Sequence, residues 1–300
     1  MIKEKIVECV PNFSEGRDRV KMDKIIDCFR GKKGVKLLDY SNDTDHNRMV
    51  ITATGQPEAM KEVIIEAVGI AVKIIDLTQH TGVHPRVGAA DVIPFIPVRN
   101  MSMEEAVGLS KAVAEDMAGR YELPVYLYEF SASANHRMNL ADVRKGGFEG
   151  LVAKMNDPLW KPDYGPDKPH STAGASIVGA RNYLIAYNIN LLTKRMDVAR
   201  AIAKRIRHSS GGLRYCKAIG LTLDSQNMVQ ISINLTNFDQ TSIYQVVEMV
   251  RMEAKRYGVE IAGSELIGMI PLQALVDTAS YYLQLDNLTV NKVLEYKIWE

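Results

Sequence analysis

A β-α-β-β-α-β order of elements is written twice along this chain, and a sequence that repeats one supersecondary unit is constrained to fold as two copies of it. In the first copy, "KIVECV" (5–10) reads as a strand stopped by Pro11. "RVKMDKIIDCFRG" (19–31) sets Met22, Ile25, Ile26 and Phe29 on one helical stripe and ends at Gly31. "VKLLDY" (35–40) and "NRMVITATG" (47–55) follow as strands, the second alternating Met49, Ile51 and Ala53 with Arg48, Val50, Thr52 and Thr54. "PEAMKEVIIEAVGIAVKIID" (57–76) opens on a proline suited to a first helical turn and repeats apolar residues every three or four positions. "ADVIPFIPV" (90–98) closes the unit as a strand whose two prolines place it near an edge or at a bulge. A helix (103–120) and the strand "PVYLYEF" (124–130) extend it, and 131–180 reads as loop-rich.

The second copy runs through "YLIAYNINL" (183–191), a helix (194–212), two strands (213–223 and 228–238), a helix (241–258) and a strand (259–268), with a last helix opening at Pro271. Its first four elements lie about 180 residues after their counterparts. The expected class is α+β: two ferredoxin-like (βαββαβ) subdomains, residues 1–180 and 181–300, packed around a ligand cleft or tunnel.

Within the second copy, Asn188 and Asn190 share one strand face, and Gln230, Ser232 and Asn234 line up likewise opposite Val229, Ile231, Ile233 and Leu235. Either this face simply meets water, or its neutral amides form a floor that donates and accepts toward a heteroaromatic ligand. The connecting segment "NDPLWKPDYGPDKPHSTAGASIVGAR" (156–181) carries four prolines among Trp160, Tyr164, Lys161, Lys168, His170 and Arg181. It is either a crossover between domains or a stiff wall whose aromatics stack on a ring and whose bases meet an anionic tail.

Charge narrows the partners. With 37 basic and 36 acidic side chains the net charge is +1, and no block of like charges points to nucleic acid or an anionic membrane. Charges interrupt the apolar residues of "MIKEKIVECVPNFSEG", unlike a signal peptide, and no run approaches the roughly 20 apolar residues of a membrane span, so a cytoplasmic place is expected. Cys9, Cys28 and Cys216 are odd in number and widely spaced, which reads as three buried thiols rather than a disulfide or zinc framework.

Chemistry concentrates in "QHTGVHPRVGAADVIPF" (79–95). His80 and His84 have the spacing of a helical metal pair, but Pro85 pushes His84 out of helical geometry and Gly82 loosens the turn before it. No metal is expected here or elsewhere. His84 is left either as a structural hydrogen-bonder or as a proton shuttle; a nearby carboxylate would fix its tautomer, and Asp91 is the nearest in sequence. No G-x-S-x-G elbow, P-loop or G-x-G-x-x-G follows a strand, which removes the usual support for serine hydrolysis and nucleotide binding.

Taken together, "VECVPNFSEG", "LLDYSNDTDHNRMVITATG", "HTGVHPRVGAADVIPFIPV", "PVYLYE", "WKPDYGP", "GARNYLIAYNINL", "SSGGL", "NLTNF" and "GSELIGMIPLQAL" resemble the formiminotransferase (glutamate formimidoyltransferase) family over almost the whole chain. The resemblance implies transfer of a formimidoyl group between N-formimidoyl-L-glutamate and tetrahydrofolate in histidine degradation, in a cytoplasmic homodimer without a cyclodeaminase domain. It implies tetrahydrofolate as co-substrate and places the catalytic residue at His84. The folate-binding loop falls on Gly165, Pro166, Asp167, Lys168, Pro169, His170, Ser171, Thr172, Ala173 and Gly174. Ser41 stands where the family pattern suggests aspartate, which leaves Asp39 or Asp43 as the substitute carboxylate. With this substrate in view, Arg48 and Arg86 are the candidate forks for the glutamate carboxylates and Asp39 a further substrate contact. Asn188, Asn190 and Asn234 become candidate folate contacts. Two alternatives stay open: a 5-formyltetrahydrofolate:L-glutamate formyltransferase, and a non-catalytic folate-binding module.

Overall fold

Pro11, which has no amide hydrogen to give a ladder, splits the first strand of the computed structural model into β1 (Ile6–Cys9) and β2 (Asn12–Phe13). The structure describes residues 4–82, 85–223 and 227–299. The chain divides into two units, Met1–Arg181 and Asn182–Glu300.

In the first unit, α1 (Arg19–Ile26) starts where the Asp18 side chain accepts from the amides of Val20 and Lys21, satisfying two of the donors a helix leaves free. The hairpin β3 (Val35–Asp43) and β4 (Arg48–Gly55) turns at Asn47, whose φ of 48° is one that asparagine tolerates better than most residues. Then come α2 (Pro57–Ile74), β5 (Ala90–Arg99), α3 (Met103–Tyr121) with a Ser102–Glu105 capping box, and β6 (Val125–Glu129). The sheet runs β3, β4, the split strand β1/β2, β5, β7 (Ser176–Ala180), β6.

One expectation from the sequence needs correction, and another resolves to one of its two alternatives. The stretch 131–180 holds two short helices, α4 (Leu140–Arg144) and α5 (Leu151–Asn156), and ends in β7 (Ser176–Ala180), a buried strand parallel to both β5 and β6. "SIVGA" is too short to show a period, so its burial on both faces could not be read. Of the two places its prolines allowed strand β5, an edge or a bulge, the structure takes the second: the strand lies inside the sheet with an irregular register. Pro94 is tolerated because it sits beside the β1/β2 break, where its carbonyl accepts from Val10 N at 3.3 Å; Pro97 lies at the register shift between Ile6 and Val7.

One face of this sheet presents Val7, Cys9, Phe13, Met49, Ile51, Ala53, Ile93 and Phe95 to the apolar stripes of α1, α2 and α3, forming the main core. On the other face, Tyr126, Tyr128, Ile177 and Val92 are covered by Val143 of α4 and by Leu151 and Met155 of α5. Directly paired residues share a face, and the pairs Glu8–Thr54, Asn12–Val50 and Asp43–Arg48 put Glu8, Asn12, Arg48 and Thr54 on this second face, beyond the covered part. The fold thus leaves a polar strip on a sheet that is otherwise apolar on both sides.

The second unit comprises β8 (Ile185–Leu191), α6 (Met196–Ile206), β9 (Cys216–Leu223), β10 (Met228–Leu235), α7 (Ile243–Arg256), β11 (Ile261–Ile267), α8 (Leu272–Leu283) and α9 (Leu294–Trp299). Its sheet is antiparallel throughout, in the order β9, β10, β8, β11. This is the order of β3, β4, β1/β2 and β5 in the first unit, so the duplication seen in the sequence extends to strand placement. Val198, Ile202 and Ile206 of α6 and Val246 and Val250 of α7 pack on Ile185, Ile189, Val229 and Ile231. All three cysteines are buried free thiols. Among the described residues no helix is long and apolar enough to cross a membrane.

Candidate active site

The polar strip ends at a hollow lined by Phe13, Ser14, His46, Asn47, Arg48, His80, Arg86 and Asp91. Four separate pieces of chain build it: the β2 end, the β3–β4 turn, the loop after α2, and the start of β5. Asn47 ties the first three together. Its Oδ1 accepts from Gly16 N at 2.9 Å, its Nδ2 donates to Thr81 O at 3.0 Å, and its carbonyl accepts from the His80 ring at 2.9 Å. Gly82 is required by this packing, since a Cβ there would lie 2.4 Å from His46 O.

His80 is held on both sides. Its Nε2 faces the Asn47 carbonyl, and its Nδ1 accepts from Arg86 Nε at 2.9 Å. This pattern assigns the neutral Nε2–H tautomer. Burial, with the nearby Arg86 charge, holds the ring's pKa below its ordinary value of about 6.5. The unfolded chain therefore takes up a proton first as the pH falls, so His80 contributes stability above pH 6.5 that is lost on acidification. His80→Gln keeps a donor and removes the titration. Its denaturant midpoint should change less between pH 7.5 and 5.5 than the parent's, and an equal change would contradict this assignment.

Arg86, a candidate carboxylate fork, is engaged: besides His80 it pairs with Glu149 at 2.8 Å. Asp91 is also engaged. Its Oδ1 accepts from Val87 N at 2.8 Å, and its Oδ2 accepts from Arg144 Nε at 3.0 Å and Nη2 at 2.5 Å. The carboxylate nearest to His84 in sequence thus acts as a brace on the segment that follows it. His84 itself lies outside the described residues.

Arg48 differs from both. Nε donates to Asn12 Oδ1 at 2.9 Å and Nη2 donates to the same oxygen, and among the described residues it makes no ion pair. Burial, reinforced by the Arg144 charge, lowers its pKa to about 10, which still leaves the guanidinium charged at neutral pH. Asp39 is exposed and does not line the hollow; it pairs with Thr52, four residues along β3 from Asp43, which faces Arg48. Asp43 is tied to the turn: burial alone would raise its pKa, but hydrogen bonds from His46 and Asp45 hold it below the usual carboxylate value.

The loop 165–174 meets the segment after His84 directly. Gly88 bridges Gly174, Ala89 N donates to Ala173 O at 2.9 Å, Ala175 N donates to Val87 O at 3.0 Å, and Leu77 N donates to Thr172 O at 2.8 Å. A Cβ on Gly174 would stand 2.1 Å from Val87 O. His170 Nδ1 accepts from Thr172 N and Ala173 N, closing the loop's turn from within. Lys168, Asp167 and Ser171 are exposed, and Asp167 pairs with Lys161 at 2.8 Å.

The aromatic half of the connecting segment is tied down by internal contacts. Trp160 meets His136 edge-on at 4.8 Å with Lys154 Nζ 3.9 Å from a ring centroid, and Arg137 fastens the segment through Asp163 and the carbonyls of Leu159 and Lys161. In the second unit, Gln230 Nε2 donates to Asn190 Oδ1 at 2.8 Å and to Glu265 Oε2 at 3.1 Å, and Asn190 Nδ2 donates to Glu265 Oε1 at 3.2 Å. Asn190 is thereby committed to a buried network, while Asn188 is partly buried and Asn234 exposed on the same face. Among the described residues no three His, Cys, Asp or Glu side chains stand together as a metal group.

Arg144 and Glu149 carry no local sequence signal, since both come from a stretch read as loop. Asn12 and Ser14 were within reach, being polar residues beside a proline-broken strand.

The profile described as "Formiminotransferase domain, N-terminal subdomain" matches residues 6–181, and that described as "Formiminotransferase domain" matches residues 186–298. The chain is 47% identical to a glutamate formimidoyltransferase of Streptococcus pyogenes serotype M1 over 96% of each chain. It is 45% identical to one of Thermoplasma acidophilum over 98% of this chain and 97% of that one. It is 40% identical to the formimidoyltransferase-cyclodeaminase of Mus musculus over 95% of this chain and 54% of that longer protein.

Proposed function

Because this chain belongs to the formiminotransferase family of transferases, we propose that it moves a formimidoyl group between N-formimidoyl-L-glutamate and tetrahydrofolate, in the breakdown of histidine. The observation that carries the reading is Arg48, a charged guanidinium at the hollow that makes no ion pair among the described residues. Such a group suits a substrate that brings carboxylates, which glutamate does twice over.

The reaction forms a bond from the folate nitrogen to the amidine carbon and breaks the bond from that carbon to the glutamate nitrogen. A proton leaves the attacking nitrogen and one arrives on the leaving nitrogen, so a single histidine that takes the first and returns it balances the step. His84 is that residue in this reading. Arg48 holds a carboxylate of the donor, with Arg86 and Asp39 as the further substrate contacts read from the sequence. The loop 165–174 holds folate, supported by its backbone ties to 87–89, and Asn188, Asn190 and Asn234 are the further folate contacts read from the sequence. The shared strand order supports a ferredoxin-like arrangement in each unit. Holding both substrates together supplies much of the acceleration, about 7–11 kcal/mol in well-oriented cases.

Arg48→Gln tests the reading. Loss of a partly buried charge from a carboxylate pair costs about 2 kcal/mol or more, so KM for formimidoylglutamate should rise about 30-fold while KM for tetrahydrofolate stays unchanged. A variant that folds with both constants unaltered contradicts it.

A further inference from the structure

Two carboxylates act on Arg48 through space, Asp43 and Asp91, and each is hydrogen-bonded elsewhere. Asp43, opposite it on β3, accepts from the amides of Asp45 and His46 at 2.9 Å and pairs with the His46 ring at 2.9 Å. Asp91 is held by Arg144 and the Val87 amide. What holds the Arg48 guanidinium is a neutral amide, Asn12 Oδ1, which receives both of its hydrogen bonds.

Asn12 is buried, and its Nδ2 donates to Val10 O at 2.8 Å. That bond fixes which way the amide faces. Turned over, it would set its NH2 against the guanidinium and its oxygen against a carbonyl. Aspartate has the size and shape of asparagine and would cancel the Arg48 charge in place, at the loss of the bond to Val10 O. A partly buried charge without a contacting counter-charge is unfavourable for the folded protein, and with Asp43 and Asp91 acting only from a distance a neutral residue at position 12 leaves the Arg48 charge incompletely compensated.

We propose that Asn12 is a positioning residue that also sets specificity: it aims the Arg48 guanidinium while leaving its charge for a carboxylate of the incoming donor. The inference rests on the reading of Arg48 as a carboxylate receptor and adds the residue that keeps that receptor vacant. An internal anion at position 12 would compete with the substrate for the same charge.

The test is Asn12→Asp in the full chain, with steady-state kinetics for each substrate and a thermal unfolding curve. KM for formimidoylglutamate should rise about tenfold or more, with KM for tetrahydrofolate within about twofold. A purely structural role for Asn12 would lower the unfolding midpoint, through the lost bond to Val10 O, and leave the two KM values in their parental ratio. If Arg48→Gln raises the donor KM and Asn12→Asp does not, the inference falls and the Arg48 reading stands. If neither does, the Arg48 reading falls and takes the inference with it. Asn12→Ala covers the case in which the aspartate variant does not fold: it loosens the guanidinium without adding charge, and should raise the donor KM about threefold or more. An unchanged donor KM in that variant overturns the positioning role.

Discussion

Alanine at His84 is expected to lower kcat by about 10²–10⁴-fold, the range a positioned acid–base group contributes, in a protein that folds and binds tetrahydrofolate as the parent does. Both flanks of His84 are anchored to the rest of the first unit: Thr81 O accepts from Asn47, and Val87 is held through its amide by Asp91 and through its carbonyl by Ala175. Removing the imidazole leaves these anchors untouched, so the loss should fall on turnover and spare substrate affinity. Equilibrium binding of tetrahydrofolate beside single-turnover rates separates the two. A variant that binds folate and turns over at the parental rate removes His84 from the mechanism.

Asp91→Ala is expected to act through stability. The Asp91–Arg144 pair is almost wholly buried, and the same carboxylate satisfies the Val87 amide. Removing it leaves a buried guanidinium without its counter-charge and an amide without an acceptor, which together cost about 3–5 kcal/mol. Against a typical total of about 5–15 kcal/mol this is a large share, and urea denaturation will show it as a lowered midpoint. The double variant Asp91→Ala/Arg144→Met should recover part of the loss, because it removes the stranded charge as well. Equal stability of parent and Asp91→Ala contradicts the brace.

The elements of both units were legible in the sequence wherever a period ran long enough to read. The three-and-four spacing of Met60, Val63, Ile64, Ala67 and Ala71 gave α2, and the alternation around Asn188 and Asn190 gave β8. β7 escaped because five buried residues carry no alternation, and the interior place of β5 could not be decided locally because its prolines are accommodated by a break in a strand distant in sequence. The site divides in the same way. Arg48 could be singled out from its type and its place in a strand, but nothing local could say that Arg86 is taken by Glu149 or Asp91 by Arg144, since those partners come from 53 to 63 residues away. What makes Arg48 distinctive is that the carboxylates acting on it, Asp43 and Asp91, are hydrogen-bonded elsewhere, a property of packing rather than of any motif.

The reading of this chain as a formimidoyl carrier between glutamate and folate is tested most directly by supplying the purified protein with tetrahydrofolate and either N-formimidoyl-L-glutamate or N-formyl-L-glutamate, and following folate absorbance. Turnover with the formimidoyl donor, well above that with the formyl donor, is the predicted result. Preference for the formyl donor, or turnover of neither, contradicts it.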